Sequence, residues 1–230
     1  MSVRQFAKRL LNLPMPLEFT RELVATGECR HALDIGCGSD SPLSAFRPRL
    51  ITTGIDACPE AIQAAQKRGL HDHYLVADIM TLEPAQILAP CQGRRYDLVT
   101  LFDVIEHLPR RQGFELLERL ELLAGKYILI QTPNGFLPQG PDFGNEYQRH
   151  LSGWFAHDFE GLGYQVYGST GTRLFHGYGG ELKCRFPGAL LVDALLAWLL
   201  RIRRHSRHAF NLVAIKDVRG VPARWPARTP

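Results

Sequence analysis

The sequence predicts an α/β fold, a doubly wound and mostly parallel sheet with helices on both faces, and three observations predict it. Short apolar or β-branched runs recur at His31 to Ile35, Leu50 to Ile55, His73 to Ala77, Tyr96 to Phe102 and Lys126 to Thr132. Helical stretches lie between several of them, and strand–helix alternation calls for crossovers that cover both faces of a parallel sheet. The third observation is a glycine turn, Gly36 and Gly38 in ALDIGCGSD, directly after the first run. In this architecture ligands meet the sheet at the carboxyl ends of its strands.

Taken in order, the first run carries Asp34 at its end, beside Ile35, and the turn needs glycine because a strand reversing beside a ligand tolerates no Cβ and often requires positive φ. Ser41 and Pro42 read as N-cap and first residue of a helix that presents free N–H groups to the turn. The second run ends before Asp56. Pro59 to Arg68 opens with proline, closes with Lys67 and Arg68, and is followed by Gly69, the start and stop chemistry of a helix. Phe114, Leu117, Leu120 and Ala124 recur at helical spacing before Gly125 and give the next helix an apolar face. Ser152 is placed to cap a helix through Glu160, Tyr164 to Ser169 reads as a strand, and Phe210 to Lys216 as the last one. About forty residues separate those two strands, far more than a hairpin needs.

Composition narrows the class. A chain of 230 residues with 45% hydrophobic content can bury one core. The first thirty residues read as neither signal peptide nor membrane span, since Arg4, Lys8 and Arg9 interrupt the only candidate. Cys29, Cys37, Cys58, Cys91 and Cys184 are odd in number and form no Cys-x-x-Cys pair, so a disulfide framework or zinc ribbon is not expected and a reducing cytoplasm is. The net charge of +4 comes partly from Arg201, Arg203, Arg204 and Arg207, which does not make a nucleic-acid-binding field. His71 and His73 flank Asp72 at a strand start and read as exposed.

Asp56 stands at the spacing where an acid meets a ribose diol, which predicts an adenosine-containing ligand. No third glycine follows in the register of a nicotinamide or flavin fingerprint, and Asp34 and Asp40 would repel a diphosphate. The two acids suit a ligand with an amino group and a sulfonium.

Four blocks, ALDIGCGSD, GIDACPEAI, YLVADIMTL and YDLVTLFDVIEHL, stand in order, and from about Arg30 to Lys216 the chain resembles the class I S-adenosylmethionine-dependent methyltransferases. The resemblance implies a Rossmann-like sheet of seven strands in the order 3-2-1-4-5-7-6, with an antiparallel last strand. It implies S-adenosyl-L-methionine as cofactor, with Asp34, Gly36, Cys37, Gly38 and Phe102 at its methionine portion. Asp56 would take the ribose hydroxyls, Ala57 would lie beside the adenine, Asp78 would accept from the adenine amino group, and Ile79 would pack on the ring. One departure is Asp40, where the family often has another glycine. The implied organisation is an N-terminal helical cap over 1–29, a methyltransferase domain over 30–216 with a helical insertion at about 171–208, and a flexible tail over 217–230. Val3 to Leu11 is expected as an amphipathic helix capping the cleft.

Methyl transfer asks mainly for alignment, with a base where the acceptor must lose a proton. Candidates near the fourth and fifth strand ends are His107, His150 and Glu106, followed by Asp103, Asn134, Glu146, Tyr147 and Arg149; either histidine could instead only hold a loop. No metal site is expected, because Glu106 and His107 are adjacent, diverge by roughly 100° on a helix, and have no third ligand evident. The chain has FDVI where exocyclic-amine DNA methyltransferases carry an Asp/Asn-Pro-Pro-aromatic turn. Pro90 and Cys91 precede the fourth strand, the wrong place for a cytosine C5 nucleophile, so Cys91 is expected to be structural. A small-molecule, saccharide or lipid-linked acceptor is therefore expected, and nucleic acid is not. The alternative is a catalytically inactive S-adenosylmethionine-binding partner subunit, and a nicotinamide oxidoreductase ranks third. The apolar stretch Gly188 to Ile202 and its basic end admit several roles: plain packing on its own domain, a lid, a homodimer surface of an otherwise monomeric protein, or peripheral contact of 188–208 with the inner face of a membrane.

Overall fold

A computed structural model describes residues 16–141, 145–175, 183, 188–200 and 206–220. Its seven strands are β1 (His31–Ile35), β2 (Ile51–Asp56), β3 (His73–Val76), β4 (Tyr96–Phe102), β5 (Ala124–Pro133), β6 (Gln165–Thr172) and β7 (Ala209–Asp217), and they form one sheet in the order β3-β2-β1-β4-β5-β7-β6. All neighbours pair in parallel except β7, which is antiparallel to β5 and to β6. The expected Rossmann-like order is thus the one observed. The two-residue period of a strand divides the core: Leu33, Val99, Leu101, Ile128 and Leu212 face one layer, while Ala32, Leu98, Leu129 and Val213 face the other.

Helix α1 (Pro16–Ala25) covers the second layer through Leu23, with Phe19 edge-on to Tyr127 at 5.6 Å. Helix α2 (Pro59–Arg68) has Cys58 as N-cap and ends at Gly69 in the left-handed region, φ 62°. A short α3 (Pro84–Leu88) precedes α4 (Arg110–Leu123), which buries Leu116, Leu117, Leu120 and Leu123 on the first layer. The remaining helices are α5 (Ala156–Glu160) and α6 (Ala189–Leu199). The expected helix Val3 to Leu11 lies outside the described residues.

Two expectations fail locally. The helix opening at Ser41 is only a 3-10 turn, Pro42–Phe46; Ser41 caps it by accepting from Leu43 N–H, and Pro48 soon removes a donor that continuation would need. Nor does Ser152 cap the helix ending at Glu160. Its N–H donates to the Glu106 carbonyl and its hydroxyl to the Ile105 carbonyl, so Leu151 to Trp154 stays extended and the N-cap falls to Phe155.

Trp154 is wholly buried between Phe114 and Phe159, and Gly113 of α4 lies against its ring. A glycine inside a helix normally costs about 1 kcal/mol relative to alanine. Here a Cβ would collide with Trp154, so Gly113→Ala should destabilise the protein by about 1 to 3 kcal/mol. Urea denaturation reads the sign directly, and a gain in stability would mean that the tryptophan yields.

Candidate functional site

Along the carboxyl edge of β1 to β4 run two adjoining cavities, of about 520 and about 270 Å³. Gly36, Asp56, Asp103, Tyr147 and Gln148 line both, so they form one trough. Asp34, Cys37, Gly38 and Phe102 line the larger half; Ala57, Asp78 and Ile79 line the smaller. The larger half carries the carboxylates Asp34, Asp40, Asp56 and Asp103, a surface for a cation and against a diphosphate. The smaller is mostly apolar, with Ile35, Val104 and Leu108 beside Ile79.

The floor is shaped by backbone. Gly36 and Gly38 have φ of 66° and 56°, and a Cβ on Gly36 would stand 2.5 Å from Val104 Cγ2. A Cβ on Gly38 would meet nothing within 4 Å, which is the space a ligand can use. Gly38 N–H donates to Asp56 Oδ2 and Cys58 N–H to Asp56 Oδ1, both at 2.8 Å. This double anchor fixes the carboxylate and leaves each oxygen further lone-pair capacity. Asp78 is steadied in the same manner by Met80 N–H at 2.8 Å.

Asp34 is 2% exposed, in the middle of the sheet. Thr100, its register partner on β4, donates to Oδ1 at 2.7 Å, and Ser41 donates to Oδ2 at 2.5 Å. Burial nevertheless pushes the carboxyl up to about 6, against the pull of those two hydroxyls. Behind it stands His71, 3% exposed, contrary to the exposure its sequence position suggests. Its Nδ1 meets Thr52 Oγ1 at 3.1 Å, and Nε2, with no hydrogen-bond partner, lies 3.8 Å from Asp34 Oδ2. Burial and the nearby Arg47 charge push this imidazole down to about 4, so it is neutral. Room for it comes from Gly54, opposite Asp34 on β2, where a Cβ would lie 2.6 Å from His71 and 2.8 Å from Cys37 Sγ. A glycine inside a strand signals close approach, and that was the available clue.

After β4 the chain turns through Asp103, whose φ of 54° lies in the left-handed region that aspartate tolerates better than most side chains. Gln131 Nε2 holds its carboxylate at 2.9 Å. Burial raises this carboxyl too, yet the residue is open to solvent on its trough side, which screens it. Of the three expected catalytic residues only His107 lines the trough. Burial first, and His150 beside it, lower its pKa, while the Arg149 and Asp103 carbonyls favour its protonated form. His150 and Glu106 stand behind, 8% and 2% exposed, with the two imidazoles edge to face at 4.9 Å. His150 Nδ1 reaches the Leu137 carbonyl at 2.7 Å.

Glu106 accepts from Thr132 through Oε2, Oε1 has no partner, and burial holds the carboxyl well above the usual range, with Asp103 adding to the rise. The side-chain donors of Glu106, His107 and His150 lie within 4.8 Å of one another. The missing third donor is thus supplied by folding, and the set is one that a borderline divalent cation accepts. A protonated Glu106, however, behaves as a hydrogen-bonding acid. No local signal marks Gln148, Gln112 and Pro109 as trough residues: Gln148 and Pro109 reach it by loop placement and Gln112 from the first turn of α4. Cys91 is buried in the first layer, its thiol pushed up by burial, as a structural residue would be.

A family model described as a methyltransferase domain matches residues 7–181. Over 97 residues the chain is 32% identical to the ubiquinone biosynthesis O-methyltransferase of Bordetella avium (strain 197N), covering 42% of this chain and 39% of that protein. Over 124 residues it is 31% identical to the mitochondrial ubiquinone biosynthesis O-methyltransferase of Candida albicans, covering 51% and 36%. These matches span less than half the length of either relative. Among solved structures, the plantazolicin methyltransferase BpumL, in complex with a pentazolic desmethylPZN analog and SAH, superposes with a TM-score of 0.53 at 20% identity, over 92% of this chain and 84% of that one. Magnesium protoporphyrin IX methyltransferase from Synechocystis PCC 6803, with bound SAH, gives 0.52 at 15% identity, over 94% and 87%. At such identities these structures establish the fold.

The raised pKa of Asp34 has a measurable consequence. A carboxyl raised in the folded state adds stability below its unfolded pKa, and that stability is lost as pH rises through the folded value of about 6. Relative to wild type, Asp34→Asn should therefore gain up to about 3 kcal/mol between pH 4 and pH 7. Urea denaturation at several pH values measures this; a constant difference would show that Asp34 titrates normally.

Proposed function

Because the chain belongs to the methyltransferase-domain family, and its sheet is that of a class I enzyme, we propose that it carries a methyl group from S-adenosylmethionine to an oxygen of a small, largely apolar acceptor. One observation carries the cofactor half of this reading: four strand ends bring nine residues of the expected types into a single trough. The anchored Asp56 would take the ribose hydroxyls, and Asp34 with the backbone of Gly36 to Gly38 would face the cationic methionine end. Ala57, Asp78 and Ile79 would hold the adenine at the apolar end. The inactive-partner alternative has no observation in its favour.

The acceptor half rests on the loop after β5. Phe136, Tyr147, Leu151 and Phe155 are 52%, 60%, 50% and 44% exposed, a density of bare apolar surface that soluble proteins reserve for binding. Tyr147 and Leu151 line the trough on the side of His107. Such a shelf suits an aromatic or lipid-linked molecule better than a saccharide. Oxygen is chosen because the curated relatives are O-methyltransferases by name.

When bound, S-adenosylmethionine supplies a methyl group already activated by its sulfonium. This chain would supply alignment, and His107 would take the acceptor's hydroxyl proton. His107 is suited to that: burial keeps it neutral at rest, and the Arg149 and Asp103 carbonyls favour the imidazolium once formed. Glu106 and His150 would act as positioning residues behind it.

Asp56→Ala should weaken S-adenosylmethionine binding about 10- to 100-fold, by removing the acceptors for two hydroxyls. Calorimetric titration of the folded variant is the test, and unchanged affinity would remove Asp56 from the site.

His107→Ala should lower turnover on the order of 100-fold or more at unchanged cofactor affinity, and His150→Ala should lower it less. Single-turnover rates with a phenolic probe distinguish the two. Near-normal rates in both variants would leave alignment alone as the source of catalysis.

A further inference from the structure

Helix α6 faces the wrong way for a helix whose only neighbour is its own domain. Its sequence, ALLVDALLAWL, has one charged residue, and that residue points inward: Asp193 is 4% exposed and its Oδ1 accepts from Thr172 N–H at 3.0 Å and from Thr172 Oγ1 at 2.6 Å. Ala189, Ala194 and Ala197 are buried beside it. Three of its five leucines are turned out, Leu191, Leu195 and Leu199 at 54%, 55% and 58% exposure, with Val192 at 40%, while Leu190 and Leu196 are half-buried. The three exposed leucines follow the four-residue period of one helix face. The Asp193–Thr172 bonds fix this rotation, because turning the leucines inward would carry the carboxylate away from the sheet and break both of its bonds to the buried Thr172.

We propose that this face is a docking surface for an anionic lipid bilayer, on which α6 lies flat. Charge selects the occupant. Basic residues flank the helix on both sides in sequence, Lys183 and Arg185 before it and Arg201, Arg203, Arg204 and Arg207 after it, with no acid among them. Of these, Lys183 and Arg207 are exposed, and Arg173, exposed as well, donates its N–H to the His208 carbonyl at the foot of the same connection. Arg185, Arg201, Arg203 and Arg204 lie outside the described residues. An apolar stripe with cationic flanks matches headgroup phosphates around acyl chains. A second copy is a poor match: a two-fold contact through the stripe would bring like-charged flanks together, whichever way the helices ran. Eleven residues make a helix about 16 Å long, too short to span a bilayer, and no helix among the described residues is long and apolar enough to do so.

The position fits the role. β6 runs parallel to β5, so Thr172 and the helix bonded to it stand at the carboxyl edge of the sheet, the edge that holds the trough. A protein resting on α6 would have that edge near the lipid.

Flotation of the full chain with vesicles tests this without any turnover, so its outcome is independent of the methyl-transfer reading. With phosphatidylcholine vesicles containing about one third phosphatidylglycerol the protein should float, and with phosphatidylcholine alone it should float at least about tenfold less. L191Q/L195Q/L199Q should lose about tenfold or more of the bound fraction at unchanged S-adenosylmethionine affinity and far-UV circular dichroism. Replacing Arg201, Arg203, Arg204 and Arg207 by serine should abolish the preference for anionic lipid. Absence of flotation, equal flotation of the triple-glutamine variant, or a wild-type dimer in analytical ultracentrifugation that this variant dissolves would each overturn the proposal.

Discussion

A carboxylate buried at the centre of a sheet is the constraint around which this molecule is arranged. Asp34 sits on β1, the third of seven strands in spatial order, and its charge is tolerable there only because hydroxyls come to it from two directions. Thr100 must be in register on β4, and Ser41 must fold back from the loop, which fixes the chain on both sides of the glycine turn. The same Ser41 hydroxyl accepts from Leu43 N–H, so the path out of the turn is tied to the acid at its root. His71 completes the enclosure from β3's end, through the gap left by Gly54. Such a network is costly to leave half-made, which is why it can specify a single loop geometry.

The parts legible in the sequence are those with a local cause. Strand period, the proline and glycine bounds of α2, and the glycines before a ligand all follow from neighbours a few residues apart. The order of the strands was legible as well, but through resemblance to a family, since nothing local says that β7 enters between β5 and β6. What remained hidden depends on distant partners. His71 is read as exposed from HDH, yet its place is set by Gly54 and Asp34, and Ser152 is read as a cap because Glu106, forty-six residues away, is not visible as its acceptor. The candidate base cluster is half-legible for the same reason: Glu106 and His107 stand together in DVIEHL, whereas His150 arrives only with the fold.

One backbone carbonyl accounts for much of that arrival. Glu106 O accepts from both Leu151 and Ser152, at 2.8 and 3.0 Å, and Gly135 N–H donates to Trp154 O at 2.6 Å. The segment bearing His150 and Leu151 is thereby stitched to the turn after β4 and to the end of β5. Gly153 permits the close pass, since a Cβ there would lie 2.6 Å from Phe136 Cα. The residue that buries a carboxyl behind His107 is therefore also the residue whose carbonyl positions the apolar shelf. A change in the loop cannot leave the candidate base undisturbed.

Strand order divides the labour. The anchored acids Asp34 and Asp56 lie on β1 and β2 and Asp78 just after β3, all on one side of β4; the shelf and α6 belong to connections of β5, β6 and β7, on the other. The turn from Asp103 to His107 stands at the boundary, the one place where a methyl donor held from the first side can meet an acceptor held from the second. Methyl transfer depends on alignment more than on reactive groups, so such a division lets the acceptor side vary without disturbing the donor side. The long β6–β7 connection is a variation of that kind: it adds an apolar, basic-flanked surface at the carboxyl edge and contributes no described residue to the trough.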